Sequence, residues 1–592
     1  MCGIVGSIGL KNPRDYIMKG LKILDYRGYD SAGVAFVNEG IKIYKDVGTV
    51  EHLNEIVPKK LTSNVMIGHT RWATHGAPSK ENTHPHLSFH EKICLVHNGV
   101  IENFEELKSF LISWGYEFYS QTDSEVVANL LEHFYISNRD IVGAIKEVMH
   151  MVKGSYAICF FTSDRDDQMY IFKHTSPLVV GIGENFSLVA SDASPMINLT
   201  TKFIELADNE YGVVSATDVV VYDTKGKKVK KDYIYKDVEA ISHDLKGYPH
   251  YMLKEIEEIE PVVNRLIDIY YRDNQYQFDP KLLKALRTSD HIMFIACGTS
   301  YHSSLVGGRY FEGVGISTSK YIASEWAFHP TIAGHRPFVI LISQSGETAD
   351  LIHCLKIINK KKLKSLVITN TGGSTLDRGS TFSCLLHAGI EVSVASTKAY
   401  VAQVTLLALL SGALSKNDIL VKDIKHCLDV VKDIRENYKE KIKSIAEEIK
   451  DKSNLFYLGR SFDYFLSLEA SLKLKEISYI HSEAIPGGEL KHGPIALIEQ
   501  GTPTLVFITD PETASSMRGN IEEVKSRGAK VYVISTENLA KEGDAIVVKN
   551  YAYYLSSVAV SSIAFYLAYY VSIAKGLNVD KPRNLAKSVT VE

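Results

Sequence analysis

Apolar residues in the first 235 positions fall mainly into short continuous runs of strand length. Ile93–Val96 and Ala157–Phe161 are two such runs, and runs of this kind are typical of strands in a sheet buried on both faces. Helical periodicity is confined to a few stretches, the clearest near residues 104–113 and 124–135. The pattern therefore predicts a first domain rich in strands.

From residue 285 onward the pattern alternates between strand and helix, and it does so twice. Each copy has three strand-like runs followed by a long apolar helix. The first copy comprises His291–Ala296, Phe338–Ile342, Ser365–Thr369 and a helix over 399–414, and the second comprises Leu455–Leu458, Thr504–Ile508, Lys530–Ser535 and a helix over 552–574. The tripeptide Glu-Thr-Ala follows the second strand of both copies. We therefore predict a duplicated βαβ unit with parallel sheets.

These patterns divide the chain into five predicted parts. They are a domain over 2–235, a connecting helical segment over 236–284, two repeated domains over 285–424 and 452–582, and a tail over 583–592. The connecting segment opens with His250–Ile256, and we expect its helix to break at Pro261.

One stretch is long and uncharged enough to cross a membrane, Tyr551–Ala574. Many of its residues are Ser and Tyr, whose hydroxyl groups are poorly accommodated in lipid. Because the stretch is the counterpart of the helix over 399–414, we expect it to be a buried core helix.

The charge balance excludes a global attraction to nucleic acid or to a membrane surface. Lys and Arg total 66, Asp and Glu total 70, and the net charge is −4. An anionic substrate therefore needs a local binding cradle.

Cysteine usage points to a reducing compartment. The seven cysteines are scattered and never have C-x-x-C spacing, which argues against a disulfide framework and a structural zinc site. The N-terminal apolar run lacks a basic region and is interrupted by Lys11–Pro13, so it does not resemble a signal peptide. We predict a cytoplasmic protein.

Cys2 directly follows the initiator methionine. If Met1 is removed, the α-amino group of Cys2, with a pKa of about 7.7–8.0, can act as the base for its own thiol. The alternative is that Cys2 is a small buried hydrophobic residue.

The next hundred residues favour the interpretation of Cys2 as a nucleophile. Arg71 can bind a carboxylate through its two forked N–H groups, and Asp123 can hold an ammonium group. Asn98 and the Gly99 N–H can form an oxyanion hole. Together these groups suit an amino acid amide, glutamine. Six histidines between residues 69 and 97 raise the question of a metal site, but no supporting Cys or acidic pattern accompanies them, and we predict none.

In the first repeated domain, Ser343–Thr348 lies where a strand ends and a helix begins. Such a turn offers backbone N–H groups and the positive end of the helix dipole, and Ser343, Ser345 and Thr348 add hydroxyl groups. It is therefore either a phosphate cradle or a plain helix cap. The second copy has Thr509-Asp510-Pro511 here, with an added negative charge and a missing N–H, so we infer that only the first copy binds phosphate in this way.

Four further residues have both a functional and an ordinary interpretation. Lys473 and Glu476 are three apart on a predicted helix, either as catalytic partners or as a solvated ion pair. His492, in a loop bracketed by Gly and Pro, either titrates near neutrality or caps the next segment. Lys587 is either a surface charge or a Schiff-base amine.

The motifs together resemble known families. The N-terminal part resembles class II (N-terminal nucleophile) glutamine amidotransferases in Cys2–Gly6, Tyr26–Ser31, Arg71–Gly76 and His97–Gly99, and the repeated part resembles sugar isomerase (SIS) domains. Joined in this order, with Ala296–Ser300, Ser343–Thr348, Lys473–His481 and Asn584–Glu592, they resemble the glutamine–fructose-6-phosphate aminotransferase family. The chain departs from that family at Glu258-Ile259-Glu260-Pro261, where Glu-Gln-Pro is expected.

The resemblance implies an α/β multidomain fold, with an αββα sandwich followed by two doubly wound parallel-sheet, flavodoxin-like SIS domains. It implies no cofactor, L-glutamine and D-fructose 6-phosphate as substrates, no nucleic acid or membrane partner, and a homodimer formed through the SIS domains. The implied reaction makes glucosamine 6-phosphate and glutamate, with ammonia passing through an internal channel from one site to the other.

The resemblance also assigns roles to residues. In the first domain, Cys2 is the nucleophile, Asn98 and Gly99 form the oxyanion hole, Trp72 gates the channel, and glutamine is held by Arg71, Thr74, His75 and Asp123. In the SIS part, the sugar phosphate is held by Thr299, Ser300, Ser343, Gln344, Ser345, Thr348 and Ser396. Lys587 forms the Schiff base, Glu476 moves the proton with support from Lys473, and His492 of the second subunit assists ring opening.

Three other functions fit the motifs less well. An amidophosphoribosyltransferase would need a phosphoribosyl-pyrophosphate site, which the duplicated units do not supply. A non-catalytic sugar-phosphate sensor would not need Cys2, Glu476 and Lys587 together. A deglycase-like relative would not need the glutaminase half.

Overall fold

The computed structural model describes residues 2–25, 28–72, 76–235 and 245–589. The chain divides into two compact units, residues 1–243 with 586–592, and residues 244–585.

The first unit is rich in strands, as its apolar runs predict. Its strands are β1 Gly3–Ile8, β2 Ser31–Val37, β3 Ile41–Val47, β4 Val65–Arg71, β5 His86–Leu87, β6 Ile93–Ile101, β7 Gly154–Thr162, β8 Arg165–His174, β9 Val179–Ile182, β10 Ser187–Ala190, β11 Lys202–Glu205, β12 Glu210–Val214, β13 Val219–Tyr222, β14 Lys228–Val229 and β15 Ile234–Tyr235. Its helices are α1 Pro13–Leu24, α2 Val50–Ile56, α3 Phe104–Ser113, α4 Asp123–Asn138 and α5 Ile141–Met151.

Two antiparallel sheets form the centre of this unit. Across the described residues, one sheet has the order β15-β11-β9-β10-β1-β4-β2-β3 and the other the order β14-β13-β12-β8-β7-β6-β5. Apolar side chains from both sheets, among them Ile4, Ile67, Cys94 and Cys159, form a shared core between them. Helices α1 and α2 cover the outer face of the first sheet, and α3, α4 and α5 cover the outer face of the second.

This arrangement confirms the predicted αββα sandwich. It also explains the continuous apolar runs in the sequence. Along β6, Cys94 and Val96 face the core between the sheets, while Ile93 and Leu95 face the helices, so both faces of the strand are buried.

The second unit contains both repeated domains. Its helices are α6 Tyr251–Glu257, α7 Ile259–Tyr270, α8 Pro280–Thr288, α9 Gly298–Gly313, α10 Ala323–Phe328, α11 Ala349–Lys360, α12 Thr375–Gly379, α13 Lys398–Ser415, α14 Ile419–Asp433, α15 Lys439–Ile449, α16 Phe462–Ser478, α17 Ala514–Lys525, α18 Ser556–Ala559 and α19 Ser561–Ala574. Its strands are β16 Tyr271–Arg272, β17 Gln275–Tyr276, β18 His291–Ala296, β19 Ser317–Ile322, β20 Pro337–Ser343, β21 Lys364–Thr369, β22 Phe382–Leu385, β23 Asn454–Gly459, β24 His481–Pro486, β25 Pro503–Ile508, β26 Lys530–Thr536 and β27 Ile546–Val548.

Two five-stranded parallel sheets have the same topology. The first has the order β19-β18-β20-β21-β22, and the second has the order β24-β23-β25-β26-β27. Numbered within each copy, both follow the order 2-1-3-4-5 of flavodoxin-like folds. The predicted duplication and the doubly wound parallel fold are confirmed. In such sheets ligands bind at the carboxyl ends of strands 1 and 3, here β18 and β20 in the first copy.

The connecting helix does not break where the sequence pattern predicted. Helix α6 ends at Glu257, and α7 begins at Ile259 and includes Pro261 in its first turn. Pro is tolerated there because the first N–H groups of a helix have no intrahelical acceptor. The break therefore lies at Glu258.

Two helices in the described residues are long and apolar enough to cross a membrane, Lys398–Ser415 and Tyr553–Ala574. Within their most apolar windows, 89% and 83% of the residues are buried inside the protein. This burial agrees with the predicted core helix over 552–574. Its regular part begins only at Ser561, after α18 and Val560.

Candidate functional site

The first candidate site lies where β1 begins and β4 ends. These strands pair antiparallel with Gly3 opposite Thr70, which brings Cys2 beside Trp72. The Trp72 N–H donates to Cys2 Sγ at 3.2 Å. Cys2 is half-buried, and burial raises the pKa of its thiol. The thiol therefore needs a base to act as a nucleophile near neutral pH.

Arg71 lies near both this thiol and Asp123. Arg71 is buried and donates through Nη2 to the Gly76 carbonyl at 3.0 Å. Burial lowers the pKa of its guanidinium, and the charges of Cys2 and Asp123 act in the opposite direction, so both groups lie within electrostatic reach of Arg71. The structure brings together the two residues predicted to hold the charged ends of glutamine.

Asn98 is held by three hydrogen bonds. Its Nδ2 donates to the Cys2 carbonyl at 3.0 Å and to Ser191 Oγ at 2.8 Å, and its Oδ1 lies 2.9 Å from His69 Nε2. His69 therefore donates to Asn98 and fixes the direction of the amide. The sequence analysis missed His69 and Ser191 as partners of Asn98.

Gly99, the second predicted oxyanion-hole residue, occupies a position that only glycine fits. Its φ is +126°, and an added Cβ would lie 2.0 Å from the Ser155 carbonyl oxygen.

Three of the six histidines that raised the question of a metal contact the start of helix α4. His84 Nε2 and His97 Nδ1 lie 2.9 and 2.8 Å from Ser124 Oγ, and His86 Nε2 lies 3.1 Å from Thr122 Oγ1. Burial lowers the pKa of His84 and His86 well below the ordinary value, so both rings are neutral. Thr122 caps α4, whose first residue is Asp123, so these rings help to place that carboxylate.

Two predicted glutamine ligands, Thr74 and His75, lie outside the described residues. Trp72, the predicted channel gate, stacks edge-on against Tyr29 with ring centres 5.7 Å apart.

The second candidate site begins with the turn between β20 and α11. Ser343 Oγ and Thr348 Oγ1 lie 2.8 Å apart, and the Gly346 N–H donates to Ser343 Oγ at 3.0 Å. Gly346 has φ +68°, and an added Cβ would lie 2.0 Å from Ser374 Oγ. Ser345 accepts from the Glu347 N–H at 3.2 Å. The turn is thus a preformed cradle of hydroxyl groups at a helix N-terminus.

Thr299 and Ser300 lie in the first turn of α9, directly after β18, the strand next to β20 in the sheet. Ser300 Oγ accepts from Nε2 of the buried Gln403 at 3.0 Å. These residues and the cradle therefore lie at the carboxyl ends of adjacent strands, where flavodoxin-like folds bind ligands. Gln344, in the cradle, accepts at its backbone carbonyl from the Asn370 N–H at 3.0 Å.

Ser396 is positioned by a buried carboxylate that the sequence analysis missed, Glu391. Ser396 Oγ donates to Glu391 Oε2 at 2.9 Å. Glu391 Oε1 accepts from the Thr397 and Ala399 N–H groups at 2.9 and 3.0 Å, so it also caps helix α13.

Lys473 and Glu476 form a close ion pair, with Lys473 Nζ 2.6 Å from Glu476 Oε2. Lys473 is fully buried and also lies 3.4 Å from Glu469. Burial lowers the pKa of Lys473, but Glu476 and Glu469 outweigh burial and leave that pKa above its ordinary value. The ordinary interpretation, a solvated surface pair, does not fit this burial.

The second copy holds its own carboxylate at the turn corresponding to the cradle. Asp463 is fully buried, and its Oδ2 accepts from the Thr509 N–H at 2.8 Å. Its Oδ1 accepts from Thr509 Oγ1. An internal anion therefore already binds donors that a phosphate would use, which supports the inference that only the first copy binds phosphate in this way.

Comparison with known proteins agrees with this architecture. Residues 69–198 match the glutamine amidotransferase domain model, and residues 285–411 and 448–573 match the SIS domain model. The chain is 42% identical to the glutamine–fructose-6-phosphate aminotransferases [isomerizing] of Geobacillus kaustophilus (strain HTA426) and Staphylococcus aureus (strain Mu50), over 100% of this chain and of each relative. The chain belongs to the glutamine–fructose-6-phosphate aminotransferase family.

A solved structure supports the assignment for the second unit of this family member. The C-terminal domain of glucosamine-fructose-6-phosphate aminotransferase from Francisella tularensis is 32% identical to the chain, with a TM-score of 0.55. The match covers 57% of this chain and 100% of that structure.

The remaining predicted residues, His492 and Lys587, lie in other segments of the chain. His492 ends a 3₁₀ turn over Glu489–His492, and its side chain is exposed. Among the described residues, no hydrogen bond or ion pair joins His492 to Glu469, Lys473 or Glu476. Lys587 is half-buried in the C-terminal tail.

Proposed function

We propose that the protein converts glutamine and fructose 6-phosphate into glutamate and glucosamine 6-phosphate. The observation that carries the proposal is the buried Lys473–Glu476 pair, on the same chain as Cys2 and its surrounding Arg71, Asn98 and Asp123. A glutaminase alone would not need the pair, and a sugar-phosphate isomerase alone would not need Cys2. The named activity of the full-length relatives supports the same conclusion.

In the proposed glutaminase reaction, removal of Met1 frees the α-amino group of Cys2. This amine takes the thiol proton, and the thiolate attacks the side-chain amide carbon of glutamine. The amine then returns the proton to the departing nitrogen, which leaves as ammonia, and water hydrolyses the thioester to glutamate. Arg71 and Asp123 hold the α-carboxylate and α-ammonium groups, with Thr74 and His75.

The developing oxyanion is bound by Asn98 Nδ2 and the Gly99 N–H. In the structure, Asn98 Nδ2 donates to the Cys2 carbonyl. We propose that the oxyanion replaces this carbonyl as its acceptor, while the bonds to Ser191 and His69 keep the amide aimed at the site.

Ammonia must remain uncharged to act as a nucleophile, so we propose that it reaches the sugar through the protein interior. Trp72, whose backbone N–H contacts Cys2 Sγ, is the proposed gate.

In the proposed isomerase reaction, the cradle holds the phosphate, and Thr299, Ser300 and Ser396 hold the sugar. His492 of a second copy of the chain assists ring opening. The amine of Lys587 condenses with the C2 carbonyl of the open-chain ketose and releases water. Ammonia attacks this imine at C2, and Lys587 leaves as the free amine.

Glu476 completes the isomerisation. It removes a proton from C1 of the resulting imine and returns it to C2, while the proton of the C1 hydroxyl passes to the nitrogen, which gives the aldose with an amine at C2. Lys473 is proposed to bind Glu476 and to keep it ionised between these steps. The protein is proposed to act in the cytoplasm as a homodimer formed through its SIS domains.

The decisive experiment incubates the purified protein with glutamine and fructose 6-phosphate and measures both products. We expect glutamate and glucosamine 6-phosphate in equal amounts. Glutamate without amino sugar would reduce the protein to a glutaminase, and neither product would overturn the proposal. The matched variant Cys2→Ala should lose glutamine-dependent synthesis and keep conversion of fructose 6-phosphate to glucose 6-phosphate. Mass spectrometry of the same sample shows whether Met1 has been removed.

A further inference from the structure

His302 contacts Glu469, an ionic partner of Lys473, but has no role in the proposed reaction. It lies on α9, one turn after Thr299, and its Nδ1 is 2.7 Å from Glu469 Oε2. Its side chain is 14% exposed, whereas that of Glu469 is completely buried. His302 is thus a polar group at the edge of the site, bonded to a carboxylate within it.

Glu469 is connected in turn to the proposed proton-transfer pair. Its Oε1 accepts from Thr299 Oγ1 at 3.0 Å, and Thr299 Oγ1 accepts from Lys473 Nζ at 3.1 Å. Glu469, Lys473 and Glu476 lie on successive turns of one face of α16. One continuous chain of polar contacts therefore runs from His302 through Glu469, Thr299 and Lys473 to Glu476.

A buried carboxylate is costly unless donors satisfy it, and each donor also fixes its direction. Glu469 has His302 and Thr299 as hydrogen-bond donors and Lys473 as an ionic partner. Without the His302 bond, Glu469 Oε2 would lose this hydrogen bond and the carboxylate would be free to turn. Thr299 would then lose its acceptor, and Lys473 would lose a support that opposes the cost of its burial.

We propose that His302 is a positioning residue for the isomerase reaction. Its Nδ1–H holds Glu469, and Glu469 with Thr299 holds Lys473 Nζ against Glu476. This inference rests on the proposed function, since it assigns His302 to the same proton-transfer step. We do not propose that His302 contacts the substrate.

Three variants separate this role from a structural one. In Asn, Nδ2 lies as many bonds from Cα as Nδ1 does in His, so His302→Asn keeps a donor near Glu469. His302→Gln places its donor one bond farther out, and His302→Leu removes the donor. His426→Leu is the matched control, because His426 is exposed on α14.

We expect His302→Leu to lower kcat for glucosamine 6-phosphate synthesis by roughly ten- to hundredfold, the loss typical of a hydrogen bond to a charged group, with little change in KM for fructose 6-phosphate. His302→Asn should stay within about threefold of the parent, and His302→Gln should fall between them. Glutaminase activity should be unchanged in all three variants, because Cys2 lies in the other unit.

The inference is wrong if His302→Leu keeps its kcat, or if His302→Asn loses as much as His302→Leu. If His302→Leu does not fold, the comparison of Asn with Gln decides, since equal activity of these two would also contradict the role. If the parent protein makes no glucosamine 6-phosphate, the proposed function itself is wrong. That result comes from the parent protein and needs no variant, so it is distinct from a failure of the inference.

Discussion

Lys473 Nζ lies 2.6 Å from Glu476 Oε2 while the lysine side chain is almost completely removed from solvent. Surface pairs of this kind contribute little, because water competes for both charges. Here the lysine has no access to water, so Glu476 and Glu469 must compensate for its charge. The pair is therefore both a structural element and the proposed proton-transfer unit.

Replacing this lysine should affect activity and stability together. We expect Lys473→Met to lower glucosamine 6-phosphate synthesis at least a hundredfold, because Glu476 loses its partner. It should also lower the free energy of unfolding by about 3–5 kcal/mol, because Glu469 is left buried without its cation. Initial rates and urea unfolding curves test both expectations.

The matched control is Lys475→Met, which removes an exposed lysine from the same helix. It should change neither quantity appreciably. A Lys473→Met protein with the parent's rate of synthesis would show that the pair is only structural.

Ser461 has a backbone conformation that suits glycine. It precedes helix α16 with φ 54° and ψ −128°, a region that costs residues other than glycine about 1–3 kcal/mol. Ser461→Gly should therefore raise the free energy of unfolding, by about 1 kcal/mol after the greater flexibility of glycine in the unfolded chain is subtracted. Urea denaturation measures the change.

Ser526→Gly provides the comparison for Ser461→Gly. Ser526 has φ −63° and ψ −15°, a conformation that any residue adopts, so the glycine there should be neutral or slightly destabilising. Equal effects of the two substitutions would mean that the backbone at Ser461 stores no strain.

Much of the fold could be predicted from local patterns. Many of the contacts that orient the proposed site residues could not. Apolar runs locate β18 and β20, because a buried parallel strand must be apolar on both faces. The hydroxyl-rich turn over Ser343–Thr348 was predictable because strand-end and helix-start chemistry are local. The predicted helix break at Pro261 was wrong, because a proline in a first turn looks the same in sequence as one that ends a helix.

The contacts that orient the proposed site residues are long-range. His69 and Ser191 meet Asn98 only because three strands of two sheets converge, and Gln403 meets Ser300 only because α13 packs on α9. No spacing along the chain encodes these pairs. Their one local signal is a polar residue inside an apolar stretch, as Gln403 is within α13.

Asp463 should make the stability depend on pH. Burial raises the pKa of its carboxyl group to about 6, above an ordinary value near 4. An acid whose pKa is higher in the folded chain binds its proton more tightly there, so it contributes stability at pH below about 4 that is lost as pH rises through about 6. The shift corresponds to about 3 kcal/mol.

Asp463→Asn should remove this contribution while keeping the contacts with Thr509, since the Asn oxygen can accept the N–H and the Asn amide can donate to the hydroxyl. The difference in unfolding free energy between the parent and Asp463→Asn should change by about 2 kcal/mol between pH 4 and pH 7, in favour of the variant at higher pH. Chemical denaturation at several pH values gives this difference. A difference independent of pH would mean that Asp463 titrates normally.

Arg583, at the start of the C-terminal tail, contacts the residue that follows the helix of the proposed proton-transfer pair. The Arg583 N–H donates to Tyr479 Oη at 2.8 Å, and the Arg583 guanidinium lies 4.1 Å from the Tyr479 ring centre. Tyr479 directly follows α16, three residues beyond Glu476, and Lys587 follows Arg583 by four residues. Arg583 is thus held at the end of α16, within the second unit.

Lys587→Ala should abolish glucosamine 6-phosphate synthesis and retain glutamate formation from glutamine, because only the proposed Schiff base is removed. Trapping with borohydride in the presence of fructose 6-phosphate should add the mass of the reduced sugar phosphate to the parent and leave Lys587→Ala unmodified. Lys575→Ala, which removes an exposed lysine just after α19, should be trapped like the parent. Trapping of the Lys587→Ala protein would assign the Schiff base to another lysine, and unchanged synthesis in that variant would make Lys587 an ordinary tail residue.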